Sequence, residues 1–270
     1  MKTRFYWKKL FTIASALGFA FLSVAKADDI AFFYALEADF RAVKDAGAVT
    51  AKPVKVGDRA IQMITLRTHK VYAVKMGSGP VETAISAESL LARFRCDRAF
   101  SLGPVGAISD KLEIGHWSRV DWLVAYQKGS WTNSGFQPKD GDINLAKELE
   151  PQSVVPSLFQ KLSKIRVASG EIFVASNSYR ERLREATNAD AVDMNLFGLV
   201  SVCSDHHVPL INWRIVSDKA DDNAGEDFRK FTETYDGAGG KAVAELIKNL
   251  PANPNSPQSY PELEKLLKNQ

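Results

Sequence analysis

Near the end of the chain the apolar run "VPLINWRIVSD" stops at a hydroxyl and a carboxylate, Ser217 and Asp218, and passes directly into the small acidic stretch "KADD". An aspartic acid at the end of a buried strand can keep its proton near neutrality if burial raises its pKa. By residue type alone it can equally be the cap of a following helix. Other strand ends carry Asp39, Gly103 and Asn195, and "GSGP" sets Gly79 in a turn whose backbone N–H groups can hold an anion or a sugar hydroxyl. His69 and His116 stand alone, and the adjacent His206 and His207 project to different faces of a helix, so no metal-ligand spacing is present. No G-x-S-x-G elbow supports a nucleophilic serine. No metal and no cofactor are expected.

These residues need a scaffold, and the apolar pattern supplies one. "DIAFFYALEADF" reads as a strand followed by a helix, and "VYAVKMGSGP" as a second strand. Behind it Val81, Ala84, Ala87, Leu91 and Phe94 recur at helical spacing. "RAFSLGPVGAI" reads as a third strand broken by Gly103, Pro104 and Gly106, and "GEIFVAS" and "AVDM" as further strands. A helix then shows Leu196, Leu199, Val200, Cys203 and His207 on one face, and a long helical region runs from Gly225 to about Leu250. Such alternation predicts a single α/β domain with a twisted mixed central sheet and helices on both sides. Ligands of such folds bind at the carboxyl ends of strands. Residues 127–151 are polar and turn-rich, as a surface loop or lid would be, and a proline-marked tail ends in a short amphipathic stretch, Leu263–Leu267.

The first 27 residues have the three parts of a secretory leader: basic Lys2, Arg4, Lys8 and Lys9, an apolar Leu10–Val24, and an Ala25-Lys26-Ala27 cleavage site. The apolar run is shorter than the roughly 20 residues of a spanning helix, so cleavage after Ala27 is expected, with no stable membrane insertion afterwards and a periplasmic or secreted destination. Residues 28–270 form the domain. Its formal balance is 30 basic against 32 acidic residues, compared with +3 for the whole chain, which removes any case for nucleic-acid binding. Cys96 and Cys203 lie in apolar helical patterns, where two buried thiols are favoured over a bridge.

"ALEADF", "KMGSGPVETAISAESLLARFRCDRAFSLGPVGAISDKLEIG", "SGEIFVAS" and "AVDMNLFGLVSVCSDHHVPLINWRIVSDKAD" occur in order, and together they resemble the nucleoside phosphorylase superfamily, most closely its methylthioadenosine/S-adenosylhomocysteine nucleosidase branch. The resemblance covers nearly the whole mature chain. It implies a bond breaker acting on a small-molecule purine nucleoside, with Asp218 protonating N7 of the leaving base. It further implies that Phe173 stacks on the base, Val174 contacts it through its backbone, Met194 lies under the sugar and Asp39 positions water, one methylene shorter than the family's glutamate. Ser217, Gly79 and Gly103 join the substrate-binding set, and a homodimer is implied.

Two departures from the family pattern bear on chemistry. Asn195 stands where the family has a glutamate that accepts from the ribose hydroxyls, and a neutral amide makes weaker hydrogen bonds than a carboxylate. Pro104 stands where the family's turn supplies a hydroxyl and an N–H, and proline has neither. With Ser101 and Pro104 at the places where a phosphorylase holds phosphate, hydrolysis is favoured over phosphorolysis. The competing expectations are a non-catalytic nucleoside-binding or storage protein of the same fold and a phosphate-dependent phosphorylase.

Overall fold

The run Leu210–Asp218 is buried at all nine positions, as a strand covered on both faces must be. Around it, the computed structural model describes residues 27–138, 142–145, 159–250 and 259–268. In chain order the strands are β1 (Asp29–Tyr34), β2 (Ala48–Val49), β3 (Val54–Val56), β4 (Arg59–Leu66), β5 (His69–Lys75), β6 (Arg98–Ala107), β7 (Trp117–Ala125), β8 (Gly129–Thr132), β9 (Gly135–Pro138), β10 (Asp142–Asn144), β11 (Ser163–Ser169), β12 (Ala191–Asp193) and β13 (Leu210–Asp218). The helices are α1 (Glu37–Asp45), α2 (Pro80–Leu91), α3 (Asn177–Thr187), α4 (Leu196–Asp205), α5 (Ala224–Thr234), α6 (Ala238–Lys248) and α7 (Pro261–Leu267). The expected leader lies almost wholly outside the described residues, as does part of the 127–151 segment.

The sheet is mixed, and part of it closes on itself. β6 pairs with β13 in parallel, β13 with β7 antiparallel, β7 with β11 and β11 with β12 in parallel, and β12 returns to β6 antiparallel. From this five-strand ring the sheet continues through β1, β5 and β4. Helices cover both faces, as expected. On one side α2 packs on α4, over a core that includes Leu90, Leu91, Leu196 and Leu199; on the other α1 and α7 pack on α6, over Val43, Val243, Ile247 and Leu263. Cys96 and Cys203 are free, buried and part of the first core.

Three expectations are corrected. First, β6 runs unbroken through Gly103, Pro104 and Gly106. β1 pairs with it as far as Leu102, whose carbonyl accepts from Ala35 N–H, and β12 takes up the same edge only at Gly106. Pro104, two residues on from Leu102, faces this unpaired gap, so its missing N–H costs the ladder nothing. Second, "GEIFVAS" is not a strand: the strand is the preceding Ser163–Ser169, and Ile172 and Phe173 lie in irregular backbone, 44% exposed each. Third, the long helix is two, α5 and α6, divided at Tyr235-Asp236-Gly237. The break lets Gly237, in a left-handed conformation (φ 77°), and Gly240 come against the backbone of Ala38 and Asp39, where a Cβ would collide. The turn-rich 127–151 segment also contains order: β8 and β9 form an antiparallel hairpin, and β10 adds to the edge of β7.

Candidate active site

The unpaired gap in β6 opens into a cavity of 410 Å³. The cavity crosses the carboxyl ends of four adjacent strands: Ser217 and Asp218 on β13, Pro104–Gly106 on β6, Ala35 and Leu36 just past β1, and Lys75 and Met76 at the end of β5. Ile172, Phe173 and Val174 form a second wall, Val192–Asn195 a third, and Phe228 of α5 completes the rim. Phe173 and Phe228 meet edge to face, with ring centroids 5.9 Å apart. Such a pair leaves an aromatic face free for a planar ligand.

Asp218 is 2% exposed. Burial raises its carboxyl pKa, an effect larger than the opposing hydrogen bonds from Ala220 N–H to Oδ1 (2.9 Å) and from the Ser217 hydroxyl to Oδ2 (2.8 Å). The single Ser217 hydrogen also has the Val105 carbonyl at 3.2 Å as an alternative acceptor. A carboxyl so placed can donate a proton into an aromatic-walled cavity, and the cap reading gives way: α5 begins only at Ala224, with Asn223 as its flanking residue.

The wall formed by Val192–Asn195 is fixed by a network that starts in β12. The Asp193 carboxylate accepts from Leu196 N–H, which turns the chain into α4, and pairs with Arg214 Nε at 3.4 Å. Arg214 is fully buried in β13, donates to the Ser101 hydroxyl and to the Trp213 carbonyl, and leaves Nη2 without a protein partner. Between these, Met194 and Asn195 face the cavity. Asn195 donates to the Gly77 carbonyl and, at 2.9 Å, to the Thr83 hydroxyl, which ties α4 to the glycine turn of α2.

Six of the expected site residues therefore converge: Asp218, Ser217, Phe173, Val174, Met194 and Asn195. Three do not line the cavity. Gly103 lies beneath its floor, against Ala35, Met76 and the Arg214 guanidinium. Gly79 (φ 97°) begins α2 and packs on the Glu171 carboxylate, which accepts from Val81 N–H. Asp39 is not in the cavity wall, and this corrects the water-positioning role: its Oδ1 accepts from the Tyr235 hydroxyl (2.6 Å) and from Gly240 N–H (2.9 Å). Its side chain serves the joint between α5 and α6. Arg214, Asp193 and Phe228 were not singled out from sequence. Arg214 alone carried a signal, a charge in an otherwise apolar strand.

Three of the four histidines are engaged elsewhere. His69 accepts from Asp28 N–H, His116 bonds the Ser163 hydroxyl, and His206 bonds Glu88. Among the described residues no three His, Cys, Asp or Glu side chains converge on a metal-sized site, and no helix is long and apolar enough to cross a membrane.

A family model described as the phosphorylase superfamily matches residues 29–248. A 5′-methylthioadenosine/S-adenosylhomocysteine nucleosidase of Staphylococcus aureus is 29% identical over 195 residues, covering 68% of this chain and 84% of the relative. Among solved structures, a mutant Helicobacter pylori enzyme of that kind, with 5′-methylthioadenosine in its active site, superposes with a TM-score of 0.72 at 21% identity, covering 83% of this chain and all of that one. Futalosine hydrolase from the same organism gives 0.66 at 21% identity, over 82% and 96% of the two chains. These structural likenesses are of fold.

Proposed function

The chain belongs to the phosphorylase superfamily, and from that membership and the geometry of its cavity we propose that it is a purine nucleosidase, cleaving the N-glycosidic bond of a purine nucleoside or 5′-thionucleoside with water. The observation that carries the reading is Asp218, a buried carboxyl of raised pKa in the wall of a cavity whose opposite rim is the Phe173–Phe228 pair. The base lies against Phe173 with N7 toward Asp218, and the sugar lies over Met194 and Asn195. Proton donation to N7 makes the purine a neutral leaving group as the sugar approaches an oxocarbenium ion, and water then adds at C1′. The curated relatives' substrates, 5′-methylthioadenosine and S-adenosylhomocysteine, are the first to try. Hydrolysis is preferred to phosphorolysis because Pro104 brings no hydroxyl to the floor and Lys75 is the one cationic side chain among the described residues that line the cavity.

A second reading, a nucleoside-binding protein without turnover, is favoured by two observations: Asp39 faces away from the cavity, and Asp193 is already committed to Leu196 and Arg214. Chromatography of a purine nucleoside panel incubated with the protein, with and without phosphate and beside Asp218→Asn, separates the readings. Free base without phosphate, lost by about 10²–10⁴-fold in the variant, supports the nucleosidase. Binding without base release supports the second reading, and base release that requires phosphate supports a phosphorylase.

The reading extends to an exported homodimer. For export, the support is that Asp28, the first residue after the expected cleavage, is already part of the fold through His69 and an ion pair with Arg98 at 2.8 Å. For a dimer it is the α2 surface, where Val81 and Ile85 are 62% and 47% exposed beside a shallow groove that includes Val56, Ala84 and Val202. The amino-terminal sequence of the secreted protein tests the first, and sedimentation equilibrium the second.

A further inference from the structure

Phe173 stands in the cavity wall past the end of β11, and among the described residues neither it nor Val174 makes a backbone hydrogen bond within the protein. Their N–H and C=O groups are therefore open to a ligand, and no ladder holds them in place. The segment is held on either side instead. Ahead of Phe173, Gly170 N–H donates to the Asp193 carbonyl at 3.1 Å and the Tyr126 hydroxyl to the Ile172 carbonyl at 3.3 Å. The Glu171 carboxylate crosses to the start of α2 and accepts from Val81 N–H at 3.1 Å, an approach that Gly79 permits because a Cβ there would run into that carboxylate. Behind Phe173, Asp222 accepts Asn177 N–H at 3.1 Å on Oδ1 and the Asn177 side-chain amide at 2.8 Å on Oδ2. Each carboxylate thus meets a helix N-terminus, of α2 or of α3, where N–H groups lack partners and the dipole favours negative charge. Gly77 and Ser78, just before α2, line the cavity, so Glu171 joins two of its walls. Asn177 is four residues beyond Phe173 and Asp222 four beyond Asp218, so the second link ties the aromatic wall to the segment that carries the acid and leads on to Phe228.

We propose that Glu171 and Asp222 are positioning residues, two carboxylate clasps at the two ends of the aromatic wall that hold Phe173 at a fixed separation from Asp218 and leave the backbone of Phe173 and Val174 open to the ligand. A wall that offers its own backbone to a ligand has to be fixed from its ends, by side chains. The inference rests on the nucleosidase reading for what the wall receives. Both carboxylates are exposed, so each clasp has a moderate effect.

The test is the dissociation constant of 5′-methylthioadenosine, measured by calorimetry on the Asp218→Asn protein so that the nucleoside is not consumed. Adding Glu171→Ala or Asp222→Ala should weaken binding about three- to tenfold. Glu171→Gln keeps an acceptor for Val81 N–H and Asp222→Asn keeps one for Asn177 N–H, so both should stay closer to the parent. In the chain that retains Asp218, and without ligand, chymotryptic cleavage after Phe173 should quicken with either alanine and slow again with the amide variants. A fall in thermal stability with binding unchanged would make the two carboxylates helix caps alone and overturns the clasps. Failure of the nucleoside to bind the parent protein overturns the nucleosidase reading instead; cleavage after Phe173 then decides the clasps, and a rate that neither alanine changes overturns them.

Discussion

The backbone N–H of Ala220 reaches back to Asp218 Oδ1 at 2.9 Å from a left-handed conformation (φ 52°) that alanine adopts at a cost. The carboxyl group is thus aimed by a strained turn, and it is hemmed in from the other side by Gly106, where a Cβ would stand 2.8 Å from the same oxygen. The acid's position is over-determined by backbone.

Gly106→Ala should accordingly displace Asp218 without removing it. A shift of about 1 Å at a reacting group costs on the order of 100-fold in rate, so kcat is expected to fall by that order while the circular dichroism spectrum is kept. Full activity in the alanine variant would show that Asp218 has more freedom than the packing allows.

Asn195 spends its amide hydrogens on Gly77 and Thr83. The isosteric Asn195→Asp keeps the shape and removes both donors, placing a carboxylate oxygen against the Gly77 carbonyl. Denaturant unfolding should show a loss of about 1–3 kcal/mol per unsatisfied group. In this chain the amide has a structural role, tying α4 to the glycine turn, besides the contact to the sugar proposed for it. Asn195→Ala, which introduces no charge, should lose less stability than the aspartate.

Burial pushes the Asp39 carboxyl up to about 6, against hydrogen bonds from Tyr235 and Gly240 that pull the other way. The folded protein therefore holds this proton over a range where the unfolded chain has released it, and stability falls as pH rises from about 4 to about 6. Asparagine can keep both contacts, since both fall on Oδ1. Asp39→Asn should then gain stability relative to the wild type across that window, on the order of 3 kcal/mol in total, read from urea midpoints at successive pH values. A constant difference between the two proteins over the window would refute the assignment.

Much of the site was legible because its residues sit where patterns end. Ser217, Asp218, Met194 and Asn195 close apolar runs, and an apolar run that ends in polar groups marks the carboxyl edge of a sheet. The misses have physical causes. Ile172, Phe173 and Val174 look like a strand because they are consecutive and apolar, yet they lie past the end of β11 in irregular backbone, where they wall the cavity instead of joining a ladder. The division between α5 and α6 is decided by Asp39, 196 residues from Tyr235 in sequence, and no local pattern carries so distant a contact. Asp39 was assigned to the cavity by resemblance, and position in a motif does not fix which side of a helix a shortened side chain serves. Arg214 announced itself as the one charge between Trp213 and Ile215 in a wholly buried strand, a cost that only a buried partner such as Asp193 offsets.

The closed circuit of β6, β13, β7, β11 and β12 has a consequence for how the molecule moves. A sheet with a free margin can be peeled from that margin, one ladder at a time, but a ring must lose two ladders before any of its strands can leave. Asp218, Pro104 and Asp193 all belong to the ring, whereas Phe173 and Phe228 hang from segments outside it. Amide hydrogens around the proton donor should therefore be among the last to exchange with solvent and those around the aromatic rim among the first, so that the mouth breathes for ligand entry while the acid beneath it keeps still.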